Sequence, residues 1–378
     1  MRLMEYIKNA QDSSRHSMMS AAYQKRLRYF YSLLSGAENL SERTIDIPYA
    51  LNDLGVRRFD SMRDFAYLNS ERIGIPLPTT QELIIEAANE PRSKLAHFFD
   101  AVVLLTGDYG ALEKVVQTRG SEIMASHDFE LLIYSGTVLA AIDTAQAVRY
   151  YKTAEKCAPN MISRVTALHR AAVTQLKRAK DYGAARAQMQ EMLDILLESL
   201  NDKLIAVALI DNLYCLLLTL EDFDKELFTS ELLIQNAHLM TECIISNEKV
   251  SSKEKSQAAR YRSQIAINHA QLLVHRKDFS GAVKILLNNL DATAQDASEY
   301  ICEAQGCLAY AYYLADEWEN SIHTAKEAIR AYSAIGDLKG LRTTREILVG
   351  AYEKAGRHSD ALAEIERIEK DPLGEGER

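Results

Sequence analysis

Two asparagines, Asn212 and Asn268, have the residue type and the spacing of a peptide-binding site. Each lies 14 residues before an aligned position of a recurring sequence pattern, at Glu226 and Ala282, so the two share one register in consecutive units. An asparagine amide offers two donor hydrogens and an acceptor oxygen, and it can therefore pair with both the N–H and the C=O of an extended peptide. We predict that the two side chains together hold such a strand.

Further side chains occupy neighbouring registers in this and the other repeating units. Arg170 and Lys177 are candidates for binding a ligand carboxylate. Tyr310 and Tyr313 are candidates for apolar contact. The remaining polar candidates are Asp211, Gln264, Gln271, Glu303 and Glu346. The alternative is that all of these are ordinary solvated residues on a polar helix face.

Local motifs of catalysis and cofactor binding are absent from the sequence. It contains no G-x-x-x-x-G-K-[ST] or G-x-G-x-x-G loop and no H-E-x-x-H or C-x-x-C pair. Cys302 and Cys307 are five residues apart with no histidine at ligand spacing, which favours core cysteines over a metal site. We predict a protein that is not an enzyme and needs no cofactor or metal. An enzyme with a non-local site in residues 1–80 is the alternative, because catalytic partners converge only in space.

The elements that position the candidate residues come from a repeat. A bulky residue stands three positions before a usually small one at Tyr109/Leu112, Thr144/Ala147, Tyr182/Ala185, Phe223/Glu226, Phe279/Ala282, Trp318/Ser321 and His358/Ala361. The second members are 35, 38, 41, 56, 39 and 40 residues apart, a period typical of stacked helix pairs. The interval of 56 contains a polar, lysine-rich stretch at 246–260, which predicts a lengthened pair with an exposed loop.

Residues 348–372, "LVGAYEKAGRHSDALAEIERIEKDP", carry Tyr352, Gly356, Ala361 and Pro372. In this pattern they resemble the tetratricopeptide repeat. The resemblance implies an all-α fold, a right-handed α-solenoid of about seven degenerate helix pairs whose first helices line a concave groove. Only six prolines occur in the chain, which also favours an all-helical protein.

Three segments are predicted: an N-terminal helical module in residues 1–80, the repeat array in 81–372 and a disordered tail in 373–378. Within the first, "LNDLGVRRFDSM" resembles a helix-turn-helix with a turn at Gly55. Arg57, Arg58 and Arg63 would then be the candidate nucleic-acid contacts. The alternative is a helical cap or a dimerisation region.

Composition restricts the function classes further. The net charge of −9 argues against a general nucleic-acid-binding surface. Five scattered cysteines are typical of a reduced, cytoplasmic protein. The most apolar run, at 204–220, is 17 residues long and interrupted by Asp211 and Asn212, so no membrane span is expected.

These observations predict a cytoplasmic interaction protein that binds a peptide or protein segment in the groove. The layout also resembles the peptide-pheromone receptors of Gram-positive bacteria and their phages. That resemblance implies a peptide-responsive transcriptional regulator, a homodimer whose N-terminal module binds DNA or a regulator protein.

Overall fold

The computed structural model of the protein describes residues 2–12, 28, 30–35, 77–89, 95–106, 109–140, 142–198, 203–221, 223–296, 300–335 and 338–371. In these ranges every regular element is a helix and none is a strand, so the predicted all-α fold is confirmed. The chain divides into two compact units. One consists of residues 1–159, 333–339 and 378, and the other of residues 160–332 and 340–377. The predicted boundary at residue 80 stays a prediction.

The first unit contains helices that pack on near neighbours in the chain. They are α1 (Arg2–Asp12), α2 (Leu77–Ala88), α3 (Leu95–Thr106), α4 (Tyr109–Ala125), α5 (Phe129–Leu139) and α6 (Thr144–Lys156). Helices α4 and α5 pack together, as do α5 and α6. Asp128 and Asp143 cap the N-termini of α5 and α6 by accepting hydrogen bonds from Leu131 N and Gln146 N, which satisfies backbone donors that have no partner inside the helix.

The second unit carries most of the candidate residues. Its helices are α7 (Met161–Thr174), α8 (Tyr182–Glu198), α9 (Lys203–Glu221), α10 (Phe223–Ser246), α11 (Ser252–His275), α12 (Phe279–Asp296), α13 (Ile301–Leu314), α14 (Trp318–Ile335), α15 (Leu338–Lys354) and α16 (His358–Lys370). Only the end of α14, from residue 333, and the start of α15, to residue 339, are assigned to the first unit. A π-helical turn, Gln175–Ala179, follows α7 directly. From α7 to α13 each helix packs on the next, the sequential packing of an α-solenoid.

The helix boundaries follow the predicted repeat. All seven bulky residues of the pattern, from Tyr109 to His358, are the first residue of the second helix of a pair. Six of the seven second members, from Leu112 to Ala361, are completely buried, and the side chain of Glu226 lies outside the described part. Ser321 fits this buried position because its hydroxyl donates to the carbonyl of Ala309 at 2.8 Å, so the polar group has a partner.

The pair α9/α10 is linked to α11 by a shorter loop than predicted. Helices α10 and α11 have 24 residues each, and residues 247–251 connect them. The lengthening expected from the interval of 56 is thus present. The lysine-rich residues 252–260 do not belong to the loop, because they form the first turns of α11.

The turns inside four helix pairs share one left-handed residue. Lys180, Lys277, Asp316 and Gly356 have φ values of 57°, 61°, 59° and 73°. Each stands five residues before the buried small residue of its pair. In the last three turns the next N–H donates to the carbonyl five residues earlier, as in Arg357 N to Tyr352 O at 2.8 Å. This is the Schellman ending of a helix, which needs one left-handed residue.

Gly356 allows the free-energy cost of the left-handed conformation to be measured for a residue that has a Cβ. A Cβ built there meets nothing within 4 Å, so Gly356→Ala should destabilise only through its backbone, by about 1 kcal/mol. Conversely, Lys277→Gly should stabilise its turn by a similar amount. Urea unfolding followed by circular dichroism measures both. A loss of stability in Lys277→Gly would contradict the backbone explanation.

First helices of consecutive pairs also touch one another. Helix α7 contacts α9, α9 contacts α11, and α11 contacts α13. Side chains on these helices can therefore meet across pairs that are about 40 or more residues apart in sequence.

Candidate ligand-binding row on the first helices

The two predicted asparagines meet. Asn268 of α11 donates from Nδ2 to Oδ1 of Asn212 on α9, at 2.7 Å. Asn212 is 7% exposed and Asn268 is half-buried. The shared register predicted from sequence therefore corresponds to a direct contact. The contact uses one donor hydrogen and one acceptor lone pair, so each amide keeps hydrogen-bonding capacity.

Asp211 lies next to this pair and has a partner that the sequence did not indicate. Asn236, on the second helix α10, donates from Nδ2 to Asp211 Oδ2 at 2.8 Å. Burial raises the pKa of Asp211, and the hydrogen bond from Asn236 lowers it in part. The carboxylate is thus a half-buried acceptor beside the asparagines. No sequence signal pointed to Asn236, because it lies on a second helix, outside the registers considered.

Helices α11 and α13 are joined by a second polar contact. Gln264 Nε2 donates to Glu303 Oε1 at 3.1 Å, and Arg260 Nη1 donates to Glu303 Oε2 at 2.7 Å. The Arg260 guanidinium also lies 3.9 Å from the centre of the Tyr300 ring, a cation–π contact. Arg260 was missed by the sequence prediction. It stands four residues before Gln264, and this helical spacing was a usable signal.

Tyr310 and Tyr313 form the aromatic part of the site on α13. Their rings are 6.4 Å apart at an angle of 16°, and Tyr310 is 49% exposed. A Cβ at Gly350 would lie 3.3 Å from the Tyr313 ring, so α15 comes close to α13 there. The two rings offer a stacked surface for an apolar group.

The other predicted residues are placed as follows. Gln271 is exposed on α11. Glu346 is exposed on α15 and pairs with Arg342 at 3.3 Å, a surface contact that contributes little stability. The term first-helix row is used below for Asp211, Asn212, Gln264, Gln271, Asn268, Glu303, Tyr310, Tyr313 and Glu346.

Arg170 and Lys177 differ from each other in exposure. Arg170 is 5% exposed on α7, whereas Lys177 in the π-turn is exposed. Arg170 is therefore part of the packed interior. Its register in the sequence alone predicts an open surface group instead. The two residues are seven apart in sequence, and the π-turn begins between them.

Arg57, Arg58 and Arg63 lie outside the described residues, so the nucleic-acid hypothesis stays a prediction. Among the described residues, no helix is long and apolar enough to cross a membrane. In the same residues no group of three or more His, Cys, Asp or Glu side chains has the arrangement of a metal site.

Comparison with known proteins gives no family for the chain. No protein-family model matches it, and no curated protein matches it either. The crystal structure of BtubC (BKLC) from P. vanneervenii is similar at 15% identity and a TM-score of 0.47, covering 60% of this chain and 87% of that one. A signal transduction ATPase with numerous domains (STAND) protein with a tetratricopeptide repeat sensor, from Pyrococcus horikoshii, is similar at 12% identity and a TM-score of 0.45. That match covers 78% of this chain and 47% of the other, and both likenesses concern the helical fold alone.

Proposed function

We propose that the protein is a non-enzymatic interaction protein that binds an extended peptide or protein segment along the first-helix row. The observation that carries this proposal is the contact between Asn212 and Asn268 at 2.7 Å. It places two amides from different helix pairs side by side on neighbouring first helices. A polar side chain in an apolar helix costs free energy unless it forms hydrogen bonds, and a bound ligand supplies such bonds.

The hydrogen-bonding capacity left after this contact matches a peptide backbone. Asn212 keeps its NH2 hydrogens, and Asn268 keeps its carbonyl oxygen and one hydrogen. A peptide C=O can accept from Asn212 while the following N–H donates to Asn268. Asp211, beside them, adds an acceptor for a further N–H. The stacked rings of Tyr310 and Tyr313 then provide the contact for an apolar side chain.

Binding is favoured over catalysis by the chemistry of the row. It consists of amides, carboxylates and tyrosines, and none of its members is a serine, a threonine or a cysteine. The thiol of Cys307 lies one helical turn after Glu303 on α13, and burial raises its pKa to about 12. A thiol held protonated in this way is a poor nucleophile. A segment bound without chemical change is therefore the expected ligand.

Native mass spectrometry of protein purified gently from its own host tests the proposal. The wild type should carry an extra mass of peptide size, and Asn212→Ala/Asn268→Ala should lose it. The matched control is Asn288→Ala/Asn320→Ala, which changes two exposed asparagines on α12 and α14 and should keep it. Circular dichroism confirms that both variants remain folded. A ligand retained equally by all three proteins would contradict binding at the first-helix row.

A further inference from the structure

Buried polar atoms without partners concentrate in one helix pair. In the part of the chain that the structure describes, His169 Nδ1 and Nε2, Thr174 Oγ1, Gln175 Oε1 and Gln188 Oε1 are buried and have no hydrogen-bond partner. These four residues, here called the π-turn cluster, belong to α7, the π-turn and α8. Each such atom costs about 1–3 kcal/mol when it is left unpaired. A concentration of such atoms in about 20 residues therefore indicates a place where a ligand supplies the missing hydrogen-bond partners.

The backbone at this place is also irregular. The π-turn Gln175–Ala179 extends α7, and Asp181 N donates to Gln175 O at 3.1 Å after the left-handed Lys180. The other pairs of this unit with a left-handed turn residue make their turn without a π-helical segment. The end of α7 is thus wound differently from the ends of the first helices in those pairs.

The charges around the cluster select an anion. Arg170, Lys177, Arg178 and Lys180 lie in or beside the same helical stretch, and Arg170 and Arg178 also make contacts of their own. The single carboxylate between residues 160 and 190, Asp181, caps α8 by accepting from Ala184 N at 2.9 Å. Burial, followed by the charges of Arg170 and Lys177, lowers the pKa of His169 to about 3. A positive field of this kind favours a negatively charged group.

The donors and acceptors restrict the anion further. The imidazole of His169 and the hydroxyl of Thr174 can donate to a carboxylate, whereas the oxygens of Gln175 and Gln188 need donors. A simple inorganic anion supplies none. A peptide supplies both, because its backbone N–H groups lie close to its terminal or side-chain carboxylates. Helix α7 packs on α9, which carries Asn212, so three of the four cluster residues lie on the neighbouring first helix or on the π-turn that follows it.

We propose that the π-turn cluster, together with Arg170 and Lys177, binds the carboxylate end or an acidic side chain of the segment held on the first-helix row. This inference rests on the proposed function, and it adds a direction. The carboxylate lies at α7, the backbone crosses α9 and α11, and an apolar side chain reaches the tyrosines of α13. In this proposal the exposed Lys177 meets the carboxylate at the surface, whereas His169 is buried.

Three pools of random hexapeptides test this by ultrafiltration with the full-length protein and mass spectrometry of what is retained. The first pool has free C-termini and no Asp or Glu. The second has amidated C-termini and one Asp or Glu in each peptide. The third is amidated and has neither. We expect the first or the second pool to be retained about tenfold or more above the third, and which of the two is retained identifies the source of the carboxylate.

Two conservative variants locate the binding. Lys177→Gln and Gln188→Leu should each reduce retention of the preferred pool about tenfold. Their controls are Lys284→Gln and Gln190→Leu, which change exposed residues of α12 and α8 and should leave retention unchanged. Gln188→Leu also reports on folding, because removing an unpaired buried oxygen should raise the unfolding temperature or leave it unchanged. Retention unchanged in both cluster variants would overturn the assignment.

The outcomes separate the two proposals. Equal retention of all three pools, lost in Asn212→Ala/Asn268→Ala, overturns the carboxylate site and leaves the peptide-binding row standing. Retention of no pool overturns both.

Discussion

The Glu364→Gln variant will lose about 3 kcal/mol of the free energy of unfolding of the last helix pair. Arg345 of α15 and Glu364 of α16 are 1% and 2% exposed, and Arg345 Nε lies 3.3 Å from Glu364 Oε1. Removing one charge of a buried pair leaves the other without compensation in a medium of low dielectric constant. The loss is at the lower end of the usual range because Asp371 Oδ2 remains 3.7 Å from Arg345 Nη2.

The control variant and the double variant that should restore stability change residues of the same two helices. Glu366→Gln breaks an exposed pair in which Lys370 Nζ lies 2.8 Å from Glu366 Oε2, and it should change stability little. The double variant Arg345→Met/Glu364→Leu should recover most of the loss, because an apolar pair needs no charge compensation. Urea unfolding with hydrogen exchange of α15 and α16 measures all three. Equal losses for Glu364→Gln and Glu366→Gln would contradict the role of burial.

Acidification from pH 6.5 to 3 will destabilise the wild type more than it destabilises a His169→Met variant. His169 of α7 is 2% exposed, and burial with the charges of Arg170 and Lys177 lowers its pKa to about 3. In the unfolded chain a histidine takes up its proton near pH 6.5. Between these values the unfolded state binds more protons than the folded state, so stability falls as the pH falls. His169 accounts for at most roughly 5 kcal/mol of the stability that is lost on acidification.

Measurement requires the difference between two unfolding curves at several pH values. The stability of wild type minus that of His169→Met should decrease steadily from pH 7 to pH 3. Other groups that titrate in this range cancel in the difference, since both proteins contain them. His323→Met removes an exposed histidine of α14 and is treated in the same way. Identical difference curves for the two variants would contradict the burial argument.

The parts of the fold that sequence predicted are those that repeat. The bulky and small residues of each pair recur at a nearly constant interval, and this interval reports the packing of one helix on the next in every pair. The same reasoning predicted that Asn212 and Asn268 share a register, and the structure adds their contact. Ser321 stands where the pattern usually has a small apolar residue. It is tolerated there because its hydroxyl donates a hydrogen bond to the carbonyl of Ala309.

The parts that sequence did not predict depend on contacts that do not repeat. Asn236 reaches Asp211 from a second helix, where the first-helix register gives no information. The π-turn after α7 has no counterpart in the aligned repeats, so a periodic pattern cannot indicate it. The burial of Arg170 has the same origin: register gives the side of a helix on which a residue lies, but not what covers that side. We therefore assign the specificity for the ligand to non-repeating contacts of this kind.

The shared left-handed turn has a consequence for how such a chain can be rebuilt. Because Lys277, Asp316 and Gly356 each stand five residues before the buried small residue of their pair and are followed by the same hydrogen bond, a cut at one of these three turns leaves the same geometry as a cut at another. Whole helix pairs can therefore be exchanged or duplicated at these three turns without disturbing the register of the helices on either side. The chain length between these turns would change by one unit at a time, and ligand length could be altered in equal steps.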